Sequence, residues 1–145
     1  MQIKIVENDR ELHDAHTVRR QVFIEEQNVP VEEEIDEYEE SATHFVMYNE
    51  ALVPVGAGRF RLLDGIGKVE RICILKQERG TGAGKLIMDR IEQYAHDQGI
   101  SSLKLNAQTH AIPFYSKLGY EIVSGEFLDA GIPHRAMKKT VGIKC

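Results

Sequence analysis

The stretch from residue 77 to residue 86, QERGTGAGKL, constrains the fold more than any other part of the chain. It joins a run rich in β-branched residues (69–75) to an amphipathic helix, and it places Gly80, Gly82 and Gly84 at the junction. Glycines allow a tight turn and leave backbone N–H groups uncovered, while a helix N-terminus carries partial positive charge. The sequence therefore predicts a strand–loop–helix unit whose loop binds a phosphate or pyrophosphate.

Two familiar phosphate-binding patterns do not fit this loop. A Walker loop needs Gly and then Ser or Thr at the positions where the chain has Arg79 and Leu86. A dinucleotide fingerprint that starts at Gly80 needs a glycine where Lys85 stands, and one that starts at Gly82 fails in the same way. The spacing leaves the pattern R-x-x-G-x-G, which starts at Arg79.

Length and composition suit one globular domain over residues 1–145, since 42% of its 145 residues are hydrophobic and 28% are charged. No apolar run approaches the roughly 20 residues that span a bilayer, and the first residues, MQIK, lack the apolar segment of a signal peptide. Cys73 and Cys145 are too few for a metal cage, and a structural disulfide between an apolar run and the last residue is not expected. We therefore expect a cytoplasmic protein with no membrane contact and no metal site.

Charge is distributed unevenly along the chain. Residues 21–58 hold ten Asp or Glu residues and no Lys or Arg, whereas the remainder has 13 acidic and 18 basic residues. An acidic protein without a concentrated basic face is a poor candidate for nucleic-acid binding. Two interpretations of the acidic run stay open, a solvated loop and a rim that attracts a cationic substrate. In the second case Glu25 and Glu26 are candidates for binding the positive charge of that substrate.

Hydrophobic periodicity predicts the element order β-α-β-β-β-α-β-α-β-β, a mixed α/β sheet with helices on its faces. Asp9 is the expected N-cap of the first helix, and Gly99 is expected just after the second. Short turns between the second, third and fourth strands indicate an antiparallel meander. The predicted strands cover residues 2–6, 43–48, 53–63, 68–75, 102–107, 120–127 and 134–140, and the predicted helices run over 9–27, from the glycine loop to about 98, and over 110–117.

Two segments resemble the GCN5-related N-acetyltransferases (GNAT), which bind acetyl-coenzyme A. The R-x-x-G-x-G pattern at Arg79 is similar to the pyrophosphate loop of that superfamily. Residues 108–120, QTHAIPFYSKLGY, resemble its second motif, N-x-x-A-x-x-[FL]-Y-x-K-x-G-[FY], with Gln108 where the family usually has Asn. The element order also matches the GNAT fold over nearly the whole chain. Residues 19–30 and 127–134 closely resemble the ElaA/YjcF-type branch.

The resemblance implies how acetyl-coenzyme A is held. Backbone N–H groups of the glycine loop bind the pyrophosphate, and the fourth strand splays from the fifth so that the pantetheine arm pairs with its exposed edge. Arg79 and Lys85 either add charge near the phosphates or are merely solvated. Asn106 and Gln108 offer amides to the cofactor or to a substrate hydroxyl. The implied cofactor-binding residues are Ile72, Cys73, Ile74, Arg79, Gly80, Thr81, Gly82, Ala83, Gly84, Lys85, Asn106, Gln108 and Tyr115.

The reaction is attack of an amine on the thioester carbonyl, and it needs a proton acceptor because an alkyl amine has a pKa near 10.4. Glu70 is the first candidate, since it lies on the strand that borders the cleft, where burial would raise the pKa of its carboxyl. The alternative is a Glu70 that is paired with Arg59, Arg61 or Arg71. His110 is the second candidate, with a solvent-facing residue at a helix start as its alternative.

Tyr115 stands at the motif position from which the departing thiolate is protonated. A phenol with a pKa of about 10 is a suitable donor to a thiolate of slightly lower pKa, and the alternative is a core aromatic beside Phe114. The sequence offers no convincing nucleophile, because Cys73 alternates with Ile72 and Ile74 and is expected on the other face of the sheet. We therefore expect direct transfer in a ternary complex rather than a covalent acetyl-enzyme.

The acceptor is expected to be a primary amine of a small molecule or a peptide, and its class stays open. The acidic run favours a polyamine, an aminoglycoside or a basic peptide. Residues 69–74 also resemble the glucosamine-6-phosphate N-acetyltransferases, whose substrate requires a basic pocket. Arg59, Arg61, Arg71 and Arg135 are the residues that would form such a pocket. Arg71 and His134 are further substrate-binding candidates. A non-catalytic acetyl-coenzyme A-binding module and a homodimer through the C-terminal strands are also left open.

Overall fold

The computed structural model describes residues 1–141, and within them the chain forms eight strands and four α-helices. The strands are β1 (Gln2–Ile5), β2 (Thr43–Tyr48), β3 (Pro54–Leu63), β4 (Ile66–Ile74), β5 (Ser102–Gln108), β6 (Glu121–Ile122), β7 (Phe127–Asp129) and β8 (Ile132–Thr140). The helices are α1 (Asp9–Arg19), α2 (Val31–Glu34), α3 (Ala83–Asp97) and α4 (Ile112–Lys117). A π-helical turn, Arg20–Glu26, continues α1, and 3₁₀ turns lie at Lys76–Glu78 and Thr109–Ala111. Cys145, for which no disulfide is expected, lies outside the described residues.

The strands form one mixed sheet in the order β1-β2-β3-β4-β5-β8-β6, and β7 also pairs with β8. Neighbouring strands from β1 to β4 are antiparallel, which confirms the predicted meander. Strands β4 and β5 are parallel, and β8 is antiparallel to β5. The predicted fold class, a mixed α/β sheet with helices, is therefore confirmed.

Alternation along β3 shows which helix covers which face of the sheet. Phe60 packs edge-to-face on Tyr94 of α3, with the ring centroids 5.3 Å apart. Arg59, the next residue back, points to the opposite face because side chains alternate along a strand. There it shares the carboxylate of Glu39 with Arg19 of α1. Helices α3 and α1 therefore cover opposite faces of the sheet.

The ends of the helices agree with the expected capping chemistry, with one correction. The N-cap of α1 is Asn8 rather than Asp9, because the Asn8 side chain accepts a hydrogen bond of 2.8 Å from the Glu11 N–H. At the end of α3, Gly99 takes the left-handed conformation with φ 74°, as a glycine after a helix commonly does. The helix predicted over 9–27 corresponds to α1 together with its π-helical continuation.

The strand predicted over residues 120–127 is in fact two short strands, β6 and β7. Between them the Ser124 hydroxyl accepts the N–H of Ala136 at 2.8 Å, in place of a backbone carbonyl. This side-chain acceptor interrupts the regular ladder with β8. Strand β7 then turns back through Ala130 and Gly131, whose φ angles of 52° and 75° suit a two-residue hairpin turn.

Part of the acidic run folds inward, so the expectation of a solvated loop is wrong for three of its residues. The carboxylates of Glu34 and Glu39 lie 2.8 and 2.7 Å from the guanidinium of Arg19. The guanidinium of Arg59 lies 2.7 Å from both Asp36 and Glu39. Both arginine side chains are 0% exposed, and a buried charge is tolerated when it is paired in this way. These five residues, called here the buried ion-pair network, hold the acidic run against the sheet.

Over the part of the chain that the structure describes, none of the helices has the length and apolar character required to cross a bilayer.

Candidate active site

A cleft opens where two parallel strands separate. Strands β4 and β5 pair only from Gly67 to Val69 and from Leu103 to Leu105, so the rest of β4 has no neighbour on that side. The chain surrounds the opening with residues from both strands, the glycine loop, the end of the π-helical turn and the β7–β8 hairpin. The cleft has a volume of about 1040 Å³. It corresponds to the splay that the sequence resemblance implies.

A β-bulge in β4 accompanies this separation. Two residues, Arg71 and Ile72, lie opposite Gly58 of β3, and Arg71 has a left-handed φ of 56°. A bulge bends and twists its strand, which turns the following residues of β4 away from β5. The side chain of Arg71 is tied to the acidic run, because it donates to the Glu34 carbonyl at 3.2 Å and to Asp36 at 3.3 Å.

The glycine loop ends in a row of free donors. Gly80 and Gly82 have φ angles of 81° and 87°, which a residue with a side chain adopts only with strain. The first backbone bond of α3 runs from the Leu86 N–H to the Gly82 carbonyl at 3.1 Å. Within residues 1–141, the N–H groups of residues 80–85 have no protein acceptor. Such a row at a helix N-terminus is suited to bind an anion.

Gly84 lies close to an aromatic side chain of the second motif. A Cβ atom at this position would lie 3.0 Å from Cζ of Phe114, which lines the cleft beside the loop. Phe114 in turn packs edge-to-face on Tyr115 of α4, with centroids 4.9 Å apart. The glycine therefore brings the loop close to the aromatic residues of the second motif.

The two cations of the loop already have partners. Arg79 binds both carboxylate oxygens of Glu26 at 2.7 Å, and its Nε donates to the Ile74 carbonyl at 2.9 Å. Lys85 lies 2.8 Å from Asp89. Because Arg79 occupies the Ile74 carbonyl, one acceptor of the β4 edge is engaged before any ligand arrives.

Gln27 crosses the cleft and was not identified from the sequence. Its amide accepts a hydrogen bond of 2.8 Å from the amide of Gln108 on β5. Gln108 is the residue that departs from the family motif, and its side chain is one carbon longer than that of Asn. The longer amide side chain of Gln108 is the sequence feature that could have indicated a partner across the cleft. Together with the Glu26–Arg79 pair, this contact ties the end of the π-helical turn to both walls.

Tyr115 lies in the cleft as a neutral phenol. The side chain is buried, and this burial raises its pKa above the usual value. In the described part of the chain, its hydroxyl has no hydrogen-bond partner, although its ring contacts Phe114 and Tyr120. A protonated hydroxyl that is not engaged by the protein is free to donate to a ligand in the cleft.

Glu70 lines the cleft, but the prediction that burial raises the pKa of its carboxyl is wrong. Burial acts to raise the pKa of this carboxyl, and the hydrogen bonds of Arg61, with the charges of Arg59 and Arg61, outweigh burial and lower it. Arg61 donates two bonds of 2.7 and 3.0 Å, and Arg59 lies 2.9 Å away. Pairing with nearby arginines, the alternative that the sequence left open, is what the structure shows.

The remaining site candidates are not all brought together. His110, Asn106, Glu26, Arg71 and His134 line the cleft. His110 is exposed in the turn before α4, as its alternative interpretation predicted. Glu25 is exposed and does not line the cleft, and neither does Arg135.

Cys73 is a buried thiol in β4. Burial raises its pKa to about 12, so it is protonated at neutral pH. A protonated thiol is a poor nucleophile. In residues 1–141, moreover, no group of three or more His, Cys, Asp or Glu residues is arranged to hold a metal ion.

Comparison with known proteins gives a consistent result. A family model described as an acetyltransferase (GNAT) domain matches residues 8–141. The uncharacterized N-acetyltransferase YjcF of Bacillus subtilis (strain 168) is 54% identical over 140 residues, which are 96% of this chain and 99% of that protein.

Two solved structures are similar in fold. Escherichia coli ElaA has a TM-score of 0.83 at 22% identity and covers 95% of this chain and 98% of its own. An aminoglycoside 6′-N-acetyltransferase complexed with coenzyme A has a TM-score of 0.80 at 17% identity, over 100% of this chain and 99% of its own.

A mixed sheet that opens between β4 and β5, with a row of backbone donors beside the opening, defines an acyltransferase of the GNAT type. The chain belongs to the GNAT acetyltransferase family, and its resemblance to the ElaA/YjcF-type branch is confirmed. It is an N-acetyltransferase, which transfers an acetyl group to an amine.

Proposed function

We propose that the protein transfers the acetyl group of acetyl-coenzyme A directly to a primary amine of a small molecule or a peptide. One observation carries this proposal: the free N–H groups of residues 80–85, the unpaired edge of β4 and the Tyr115 side chain all border the same cleft. A phosphate-bearing thioester that lies along β4 would meet each of them in turn.

The cofactor is held mainly by backbone groups. The pyrophosphate accepts hydrogen bonds from the loop of Gly80, Thr81, Gly82, Ala83, Gly84 and Lys85. The pantetheine arm lies along Ile72, Cys73 and Ile74, while Asn106 and Gln108 face it from β5. Arg79 lies at the loop, and its guanidinium is bound to the Glu26 carboxylate. Its positive charge therefore attracts both that carboxylate and the phosphates of the cofactor.

The chemistry requires a donor for the leaving group. The amine attacks the thioester carbon, the C–S bond breaks, and the thiolate takes the proton of the Tyr115 hydroxyl. The phenolate regains a proton from the nitrogen that becomes the amide. Direct attack of the amine on the thioester is supported by the state of Cys73. This thiol is the side chain of the cleft that would be the natural nucleophile, but it is buried and protonated.

A cationic amine is favoured over a hexosamine phosphate. The phosphate would need free guanidinium groups, yet Arg59, Arg61 and Arg71 are each paired with carboxylates. By contrast, Glu33 of the acidic run lines the cleft, and its carboxylate has no ion-pair partner in the described residues. Mass spectrometry of acetylated product from an equimolar mixture of spermine and glucosamine 6-phosphate tests this preference. We expect acetylspermine, and acetylation of the hexosamine alone would reverse the assignment.

The cofactor assignment is tested by binding. Calorimetry with coenzyme A should give an affinity at least about 100-fold above that of pantetheine, which has the thiol arm but no pyrophosphate, because several charge-assisted hydrogen bonds are lost. Equal affinity of the two compounds would remove the pyrophosphate from the loop. The cytoplasmic location and the homodimer remain predictions.

A further inference from the structure

His134 of β8 has a defined tautomer inside the cleft. Its Nδ1 atom lies 2.6 Å from the Ile132 carbonyl oxygen. A carbonyl oxygen only accepts hydrogen bonds, so Nδ1 carries the hydrogen and donates it. In the neutral ring the other nitrogen, Nε2, is then the basic atom.

The surroundings hold the ring in one orientation. His134 is 8% exposed and its ring stacks on that of Phe127, with the planes 21° apart. On the other side its backbone pairs with Gln108 of β5. In the part of the chain that the structure describes, Nε2 has no hydrogen-bond partner, and the residue lines the cleft. A fixed imidazole with an unengaged basic nitrogen in a substrate cleft is suited to accept a proton.

We propose that Nε2 of His134 accepts the proton that the acceptor ammonium loses before it attacks the thioester. This inference rests on the proposed function and assigns a second catalytic residue beside Tyr115. The N–H bond of the ammonium breaks, its electron pair stays on nitrogen as the nucleophile, and the imidazole becomes an imidazolium. After acetyl transfer the imidazolium releases this proton to water, which accounts for the one proton that amide formation liberates.

The competing carboxylate is less suited to this step. Glu70 is bound by Arg59 and Arg61, and its lowered pKa makes it a weaker base. Protonation of Glu70 would leave Arg61 without a carboxylate partner in the described residues and would remove one of the three carboxylates around Arg59. The Nε2 atom of His134 has no such competing contact.

Several other titratable groups share the cleft with His134. The elements packed against His134 contribute Asp129 from β7 and His110 from the turn after β5, while the residue opposite on β5 is the neutral Gln108. Glu26 and Glu33 also line the cleft, and Tyr115 stays protonated because burial raises its pKa. His110 is the other imidazole that lines the cleft, so its contribution must be separated from that of His134 by mutation.

The test is the pH dependence of kcat, measured as thiol release with the best acceptor of an amine panel that begins with spermine. His134→Asn keeps a side-chain N–H that reaches the Ile132 carbonyl and removes Nε2. We expect kcat at pH 7 to fall by about 10²- to 10⁴-fold, and the acidic limb of the pH profile of kcat to move toward the pKa of the acceptor amine. The coenzyme A affinity and Tm should stay near wild-type values. His96→Asn, at an exposed position of α3, is the matched control.

Four results would overturn the proposal. A His134→Asn enzyme with wild-type kcat and pH profile would exclude His134 from catalysis. His134 would also be excluded if the acidic limb of the pH profile of kcat were lost in His110→Asn and kept in His134→Asn. If the variant fails to fold, ¹⁵N spectra of histidines in the wild-type protein decide the matter: a neutral His134 with its hydrogen on Nε2 contradicts the assignment. Absence of any amine turnover by the wild type refutes the proposed function itself, and this inference with it.

Discussion

The carboxylate of Glu70 and the guanidinium of Arg61 are joined by two hydrogen bonds of 2.7 and 3.0 Å on the wall of the cleft. Arg59 reaches the same carboxylate at 2.9 Å. Because both cations stabilise the ionised form, Glu70 acts as a counter-charge more readily than as a proton acceptor. The pair thus links the buried ion-pair network to the strand that borders the cleft.

Glu70→Gln should therefore affect stability more than chemistry. Removal of one partner from a buried ion pair costs about 3 kcal/mol, here because Arg61 loses its carboxylate partner and Arg59 keeps only Asp36 and Glu39. We expect a lower Tm by calorimetry and a kcat reduced less than tenfold for the folded enzyme. Glu50→Gln in the exposed β2–β3 turn is the control with an unchanged Tm. A kcat loss of 100-fold or more at unchanged Tm would make Glu70 the base.

Stability should depend on pH through the buried ion-pair network. Burial acts to raise the pKa of Glu39, but hydrogen bonds from His16 and Arg19 outweigh it, and the pKa lies well below its usual value. The pKa of Asp36 is also lowered: burial acts to raise it, and Arg59 outweighs burial. A carboxyl with a depressed folded-state pKa stabilises the fold above its unfolded pKa of about 4.3 and loses this effect as pH falls through the folded value.

Glu39→Gln should remove part of that pH dependence. The variant leaves the buried Arg19 short of a counter-charge, so it should lose about 3–5 kcal/mol of unfolding free energy at pH 7. Urea unfolding at pH 7 and pH 3 measures both quantities. The difference between wild type and variant should shrink at pH 3, and a difference that grows there would contradict the assigned sign.

Gly82→Ala and Gly99→Ala form a matched pair. Both glycines have a positive φ, 87° and 74°, and at both an added Cβ would meet no atom within 4 Å. Each alanine should therefore cost about 1–2 kcal/mol of stability through backbone strain. Only Gly82 lies in the loop of free donors, so only Gly82→Ala should weaken coenzyme A binding, by about tenfold for a lost charge-assisted bond. Equal affinities in calorimetry would show that the loop does not bind the cofactor.

Tyr115→Phe should lower kcat by about 100-fold and leave the coenzyme A affinity and Tm nearly unchanged, since in the proposed mechanism its hydroxyl donates to the leaving thiolate alone. The control is Tyr120→Phe, because the Tyr120 hydroxyl donates to Glu92 at 3.1 Å and does not line the cleft. That variant should lose stability and keep its turnover. Full turnover by Tyr115→Phe in a thiol-release assay would exclude Tyr115 from the mechanism.

Cys73→Ala should retain acetyl transfer, because a buried thiol with a pKa of about 12 forms no acetyl-enzyme at neutral pH. Intact mass spectrometry of wild-type protein incubated with acetyl-coenzyme A should show no covalent acetyl adduct. A stable adduct that vanishes in Cys73→Ala, together with lost turnover, would replace direct attack by a two-step route.

Much of the fold and site could be predicted because the decisive signals are local in sequence. The three glycines and the helix that follows them were predicted from local spacing, and Tyr115 was identified from the resemblance of residues 108–120 to a family motif. Charge pairing was harder, because Arg19 and Glu39 lie twenty positions apart and meet only after α1 packs on the sheet. The pKa of Glu70 depends in the same way on a β3 register that periodicity does not specify.

Two hydrogen bonds made by side chains could not be predicted from the sequence either. The interruption between β6 and β7 depends on the Ser124 hydroxyl, which looks like any polar residue in a strand. The contact of Gln27 with Gln108 depends on a π-helical turn, whereas the helical pattern alone predicted continuous α-helix. In both cases the tertiary arrangement decides which hydrogen bond forms.

The most direct test of the account is thiol release from acetyl-coenzyme A by the wild-type protein, with and without a panel of primary amines. We predict release that requires an amine and yields one acetylated amine for each thiol. Tight coenzyme A binding with no amine-dependent thiol release across the panel would contradict the account.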